Sequence, residues 1–233
     1  LFDTPLLVSR NMGLAVDQRA AKRVMDILIS GTGIIITSPI MLIIAIAVKA
    51  YDRGPVFYFQ DRLTLGGKPF KICKFRSMCV DSEKNGARLA SKHDSRITPV
   101  GHVLRNLHLD ELPQLFNVFK GDMSLVGPRP ERESIMLEYE KELPEFYYRL
   151  KVKAGLTGYA QVYGKYNTTP YDKLKLDLFY IENYSFLLDI KLIFMTVKIF
   201  FQKEVSEGVD DRQVNALKDS GKNAGVSENK TEE

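Results

Sequence analysis

Two adjacent carboxylates, Asp110 and Glu111, precede an arginine that stands between two prolines, Arg129. An aspartate can act as a nucleophile or bind a metal ion, and the planar fork of an arginine can hold a phosphate through paired hydrogen bonds. The same chain carries an apolar segment without a charged residue, 27–48. These features together predict phosphate chemistry beside a membrane.

The two carboxylates also have an ordinary explanation. Asp110 stands where an N-cap would begin a helix predicted over 110–119, and acidic residues are favoured in a first helical turn. The catalytic hypothesis uses the same physics, because the N–H groups and dipole of a helix start stabilise an ionised carboxylate and attract phosphate. Glu111 could then hold a divalent cation such as Mg²⁺, which bridges phosphates through one or two carboxylates. The residues alone leave both explanations open.

Several basic residues could reach a phosphate at this place. Prolines fix the backbone on both sides of Arg129, and Arg105 is close enough in sequence to reach the same helix end. Lys74 and Arg76 are separated by one residue, so a strand would place them on one face. A solvated strand edge would explain that pair equally well.

The apolar segment 27–48 would form a helix of roughly 33 Å, long enough to cross the hydrocarbon core of a bilayer. A plain transmembrane anchor is the simplest explanation. The pair Ser38-Pro39 favours a helix that breaks and turns back, because Pro39 cannot donate to the carbonyl of Ile35. The Ser38 hydroxyl could bond the Ile34 carbonyl and ease this break.

Basic residues flank both ends of the segment, namely Lys22 and Arg23 before it and Lys49 and Arg53 after it. A single crossing should show more basic residues on its cytoplasmic side than on the other. The symmetry therefore favours a re-entrant helix with both ends in the cytoplasm. A kinked transmembrane helix remains the alternative.

The rest of the sequence predicts an α+β fold, in which a β-hairpin and several helices follow the apolar segment. The helix over 186–203 mixes apolar residues with lysines, which suits either a membrane surface or packing against a core. We expect strands over 56–60 and 69–76 around a turn at 66–67, and helices over 100–106, 110–119, 131–150 with an interruption at Pro144, 171–183 and 186–203.

Charge is distributed unevenly along the 233 residues. Without the acidic tail 204–233, predicted to be disordered, the chain carries 29 Lys/Arg against 21 Asp/Glu. A basic body of this kind attracts anionic lipid headgroups, nucleotides or nucleic acid. We expect 1–20 to be a linker and 21–203 to be one domain, and the start at Leu1 predicts that the chain is part of a longer protein.

The motifs together resemble the bacterial sugar transferase family, the monotopic phosphoglycosyl transferases that begin the assembly of polysaccharides and other glycans. The resemblance rests above all on the segments LDELPQ (109–114) and GDMSLVGPRP (121–130). The other matching segments run in the family's order: 22–26, Ser38-Pro39, 54–57, 60–62, 70–78, 155–164 and 184–189.

This resemblance implies a membrane-associated α+β fold with a re-entrant helix broken at Ser38-Pro39, a hairpin, and amphipathic helices at the cytoplasmic face of the bacterial inner membrane. It implies that Asp110 attacks the sugar-bearing phosphate of a UDP-sugar. UMP would leave, and polyprenyl phosphate, such as undecaprenyl phosphate, would take the sugar phosphate from the enzyme. Membrane lipids are then expected partners, and nucleic acid is not.

Carried over by position, the resemblance implies that Glu111 ligates Mg²⁺ and that Arg105 and Arg129 contact phosphate. The chain would be the C-terminal catalytic domain of a member with further segments upstream. The family often has Pro, Trp and Arg where Ala154, Tyr159 and Lys165 stand here. Lys165 follows a Gly-rich segment that could approach a nucleotide, and it keeps a charge but lacks the arginine fork.

Two other functions remain compatible with the residues. In the first, the chain is a non-catalytic, basic scaffold at a membrane surface, with the carboxylates as a helix cap and the arginines on lipid headgroups. In the second, it is a membrane phosphohydrolase that uses water in place of the lipid acceptor.

Overall fold

The computed structural model describes residues 14–80, 94–164 and 168–200. Most of the predicted linker, the predicted tail and Lys165 lie outside these ranges. The helices are α1 Val16–Asp52, α2 Pro99–Asn106, α3 Gln114–Lys120, α4 Glu133–Glu142, α5 Tyr159–Tyr163, α6 Pro170–Glu182 and α7 Phe186–Phe200. The strands are β1 Phe57–Leu63, β2 Pro69–Phe75, β3 Ser124–Val126 and β4 Gly155–Thr157, and 3₁₀ turns cover Leu109–Glu111 and Pro144–Lys151.

The predicted mixture of helix and strand is confirmed, and so is the hairpin. Strands β1 and β2 pair in antiparallel fashion, with Gln60 opposite Ile72 and Phe57 opposite Phe75. Gly66 and Gly67 both adopt positive φ in the connection, a conformation that glycine reaches without strain. The sequence did not predict the parallel pair β3–β4, which lies in the core and joins the segments 124–126 and 155–157.

The long apolar helix differs from the expectation at Ser38-Pro39. Helix α1 continues through Pro39 as one element, so the predicted division of the helix at this pair is wrong. Ser38 Oγ donates to the carbonyl of Ile35 at 2.8 Å, not to that of Ile34. Ile35 is the residue whose carbonyl loses its usual donor because Pro39 has no N–H. The serine therefore replaces the missing hydrogen bond, and this lets the helix continue.

Helix α1 begins at Val16, so the last residues of the predicted linker belong to it. It lies along the rest of the molecule and contacts it at both ends. Near its start, Asp26 Oδ1 accepts hydrogen bonds from Ser124 Oγ at 3.0 Å and from the Leu125 N–H at 2.9 Å. At its end, Asp52 pairs with Arg76, the residue that follows β2.

The middle of α1 also contacts the body of the protein. Met41, Ile44 and Val48 form a small core with Phe75 and Leu104. The opposite face of α1 is apolar and exposed, and α1 is the one described helix that is long and apolar enough to cross a membrane. Within the segment 27–48, six large apolar side chains are at least 60% exposed: Leu28, Ile35, Ile36, Leu42, Ile43 and Ile46.

Candidate active site

The carboxylates Asp110 and Glu111 lie in the single 3₁₀ turn Leu109–Glu111, between α2 and α3. Helix α3 starts only at Gln114, so the prediction that Asp110 caps this helix is wrong. Pro113 explains the difference, because it has no N–H to donate to the Leu109 carbonyl. The Leu112 N–H bonds that carbonyl instead, at 3.3 Å, and this tightens the chain into a 3₁₀ path.

Asp110 is a buried carboxyl, 8% exposed. Burial raises its pKa above the ordinary value, and the charge of Glu111 acts in the same direction. The nearby charges of Lys74 and Arg105 oppose this shift. The side chain is thus poorly solvated but lies within reach of basic residues, an environment in which a carboxylate can serve as a nucleophile.

The pKa of Glu111 is shifted in the opposite direction to that of Asp110. Lys74 Nζ lies 2.5 Å and Arg129 Nη2 lies 3.0 Å from the same oxygen, Glu111 Oε1. Burial acts to raise the pKa of Glu111, but the charges of Arg129 and Lys74 outweigh it and hold this pKa well below its ordinary value. Glu111 therefore stays ionised and holds two cationic side chains beside Asp110.

These two cationic side chains come from distant parts of the chain. Lys74 is in β2, and the side chain of Asn117 connects that strand to α3 by accepting from the Cys73 N–H and donating to the Lys71 carbonyl. Arg129 comes from the loop after β3, and its side chain is 46% exposed. It can therefore contact a solvent-borne ligand while it is bonded to Glu111.

The other predicted basic residues lie in different surroundings. Arg105 lies in the last turn of α2, and its charge acts to lower the pKa of Asp110, which agrees with its predicted place near the two carboxylates. Arg76 does not share a strand face with Lys74, because β2 ends at Phe75. The buried guanidinium of Arg76 instead bonds Asp52 and the Pro55 carbonyl.

The possible metal ligands around Glu111 determine whether a metal ion could bind there. No group of three or more His, Cys, Asp or Glu side chains with the spacing of a metal site occurs in the described ranges. Glu111 Oε1 already accepts from two cations. A site with one or two carboxylates fits Mg²⁺ only when substrate phosphates and water supply the other ligands, which is the usual arrangement at phosphate-binding enzymes.

A buried ionic cluster that the sequence did not predict lies behind the Arg129 loop. Its central residue is Arg149, which is 2% exposed and bonds Asp177 of α6. One signal was present in the sequence: Arg149 follows three aromatic residues, 146–148, and an arginine is rarely buried without a partner. The partner itself could not be inferred from local sequence.

Comparison with known proteins relates the chain to one family. The profile of the family described as Bacterial sugar transferase matches residues 17–203. The chain is 45% identical over 180 residues to a UDP-N-acetylgalactosamine-undecaprenyl-phosphate N-acetylgalactosaminephosphotransferase of Aeromonas hydrophila, which covers 76% of this chain and 43% of that protein. It is 44% identical over 202 residues to a UDP-glucose:undecaprenyl-phosphate glucose-1-phosphate transferase of Klebsiella pneumoniae, covering 84% of this chain and 42% of that protein.

A shorter relative is matched over more of its length. The chain is 48% identical over 131 residues to a putative undecaprenyl-phosphate N-acetylgalactosaminyl 1-phosphate transferase of Bacillus subtilis, covering 56% of this chain and 73% of that protein. The chain spans less than half the length of the Aeromonas and Klebsiella proteins. The family match includes the 3₁₀ turn with both carboxylates, β2 and the Arg129 loop. The chain belongs to the bacterial sugar transferase family.

Proposed function

We propose that this chain transfers a sugar 1-phosphate from a UDP-sugar to polyprenyl phosphate, with release of UMP. The observation that carries the proposal is the arrangement of Lys74 and Arg129 on Glu111, next to the buried carboxyl of Asp110. Two cations beside a carboxylate nucleophile suit a diphosphate, whose negative charge must be neutralised before an anion can attack it. The names of the relatives, which contain undecaprenyl phosphate and a nucleotide sugar, support the same substrates.

In the proposed reaction an oxygen of Asp110 forms a bond to the sugar-bearing phosphorus of the UDP-sugar. The bond between that phosphorus and the bridging oxygen breaks, and UMP leaves with the electron pair. A phosphate oxygen of the polyprenyl phosphate then attacks the same phosphorus and releases Asp110 as a carboxylate. The product is a polyprenyl diphosphate sugar.

The neighbouring residues have distinct proposed roles. Arg129 and Lys74 bind the phosphate oxygens, and the charge of Arg105 favours the ionised, nucleophilic form of Asp110. Glu111 holds Lys74 and Arg129 in place before the substrate binds. Together with substrate phosphate oxygens, Glu111 would also hold Mg²⁺, which supplies further neutralisation of the diphosphate.

A substrate panel tests the proposal directly. The protein is incubated in detergent or lipid nanodiscs with undecaprenyl phosphate, Mg²⁺ and a series of UDP-sugars, including UDP-glucose and UDP-N-acetylgalactosamine, and UMP is measured. We expect UMP release with at least one sugar, and EDTA should stop it. Repeated turnover without the lipid acceptor would instead indicate a phosphohydrolase, and no turnover with any sugar would favour the scaffold.

We propose further that both ends of α1 lie at the cytoplasmic face of the membrane and that the helix does not cross it. Contacts between α1 and the body of the protein extend from Asp26 to Asp52. If α1 stood upright across a bilayer, the polar elements packed along it would have to lie in hydrocarbon, at a cost of several kcal/mol for each unsatisfied polar group. An orientation with the exposed apolar face in the lipid and both ends at one surface avoids this cost.

Cysteine labelling tests this topology. In a variant without Cys73 and Cys79, single cysteines are placed at the exposed positions Ala20 and Tyr51, which lie near the two ends of α1. A membrane-impermeant maleimide should label both sites in inverted inner-membrane vesicles and neither in intact spheroplasts. If one of the two sites is labelled from the outside, α1 crosses the membrane and the proposed placement of both ends at the cytoplasmic face is wrong.

A further inference from the structure

The loop that carries Arg129 is fixed through its backbone carbonyls. Four consecutive carbonyls of this loop each accept a hydrogen bond from another part of the fold. The pairs are Pro128 with the Gly155 N–H at 2.9 Å, Arg129 with Arg149 Nη2 at 3.0 Å, Pro130 with Arg62 Nη1 at 3.1 Å, and Glu131 with the Leu63 N–H at 3.0 Å. Two of these donors are backbone groups of strand segments, and the other two are arginine side chains.

Arg149 is itself held by a buried ionic cluster. Its Nε and Nη2 bond Asp177 Oδ2 at 3.0 and 2.7 Å, and its Nη1 lies 3.5 Å from Glu131 Oε1. Glu131 also pairs with Lys173 and lies 3.9 Å from Arg62 Nη1. The whole cluster lies behind the loop, whereas the Arg129 side chain extends from the front of the loop to Glu111.

The hydrogen bond from Arg149 to the Arg129 carbonyl restrains rotation of the peptide plane between Arg129 and Pro130, which the flanking prolines do not fix. A proline fixes its own φ and biases the preceding residue toward extended backbone, but it does not lock the peptide plane between Arg129 and Pro130. A charged donor in a poorly solvated site restrains that peptide plane more strongly than a neutral donor does. Because the peptide plane and the Cα–Cβ direction of one residue are coupled, the position of the guanidinium depends on this bond.

We infer that Arg149, oriented by Asp177, is a positioning residue for Arg129: it aims the exposed guanidinium at the site where a diphosphate binds. This inference rests on the proposed function, because that function assigns a phosphate to Arg129. The alternative is that Arg149 only neutralises Asp177 within the core. A lysine cannot replace it, since a single ammonium group lacks the planar fork that bonds Asp177 and the Arg129 carbonyl together.

A double-mutant cycle separates these two roles. Arg149→Lys is made in the parent protein and in an Arg129→Ala background, and two quantities are measured: calorimetric binding of inorganic diphosphate and the rate of UMP release. In the parent we expect Arg149→Lys to weaken diphosphate binding about tenfold and to slow UMP release about 100-fold. In the Arg129→Ala background the same change should alter either quantity by less than about twofold.

Equal losses in both backgrounds would overturn the inference, since Arg149 would then act on the fold and not through Arg129. Asp177→Asn gives a second cycle in case Arg149→Lys does not fold, and a smaller loss with the same dependence on Arg129 is expected. Arg76→Lys is the matched control, because Arg76 is also buried and paired with an aspartate, but its partner Asp52 is at the end of α1 and not behind the Arg129 loop. Any loss that it causes should be the same in both backgrounds.

The binding measurement also distinguishes this inference from the proposed function. If the parent binds diphosphate with the expected coupling but releases no UMP from any UDP-sugar, the transfer proposal fails and the positioning role stands. If the parent does not bind diphosphate at all, Arg129 has no anion to contact and the inference is overturned.

Discussion

Asp110→Asn is expected to lower UMP release by at least about 10³-fold, because an amide cannot form the phosphoryl bond that the proposed reaction requires. The same change should leave the protein folded and slightly more stable at neutral pH. Burial raises the pKa of Asp110, so the ionised carboxylate costs stability at any pH above its pKa in the unfolded chain. The neutral amide removes that cost, and the melting temperature should therefore stay equal or rise.

Glu111→Gln is the matched control for this prediction and should shift stability in the opposite direction. The folded pKa of Glu111 is held below its ordinary value, so its stabilising contribution is present above that ordinary value and disappears as the pH falls through the lowered one. At neutral pH the glutamine variant should melt at a lower temperature. Normal UMP release by Asp110→Asn, or a clear fall in its melting temperature, would contradict the assignment of Asp110 as a destabilised nucleophile.

Arg129→Lys is expected to lower kcat/KM for the UDP-sugar about 100-fold, although the charge is kept. The guanidinium of Arg129 bonds Glu111 and, because it is 46% exposed, still presents N–H groups to a ligand. An ammonium group at the end of a shorter, flexible chain cannot make both sets of bonds in one geometry. Steady-state UMP release with membrane flotation of the same samples measures the effect, and flotation should be normal.

The reverse exchange at an exposed lysine provides a control for this measurement. Lys120 is 76% exposed at the end of α3, where it pairs with Asp122. Lys120→Arg should leave kcat/KM within about twofold of the parent value. If Arg129→Lys were equally silent, Arg129 would not bind phosphate in the reaction.

The elements that local patterns determine were predicted well from the sequence. The hairpin follows from two apolar strands around Gly66-Gly67. Helices were predicted over 100–106 and 171–183, and the structure starts each one residue earlier, at a proline that follows a threonine cap. The predicted start of α3 was wrong because Pro113 has no N–H. Its absence changed the hydrogen-bond pattern of the preceding turn. The same absence at Pro39 had the opposite result, since a neighbouring hydroxyl restored the bond.

Contacts between distant segments could not be predicted from these patterns. The parallel pair β3–β4 consists of two three-residue strands, too short to show a periodicity. The direction of Arg76 depends on where β2 ends and on the position of Asp52, at the far end of a long helix. Asp110 and Glu111, in contrast, were predicted as site residues from the order of motifs along the chain, and the structure places Lys74 and Arg129 on Glu111.

In the proposed reaction Asp110 carries the sugar phosphate between two separate steps. The direct test omits the lipid acceptor: protein, Mg²⁺ and the UDP-sugar selected in the panel are mixed rapidly, and UMP and the intact protein mass are followed together. The proposed reaction predicts a burst of about one UMP per active site. It also predicts a mass increase equal to the sugar phosphate, which hydroxylamine removes and Asp110→Asn does not show. Turnover that requires both substrates, with neither burst nor adduct, would contradict the covalent mechanism and establish direct transfer.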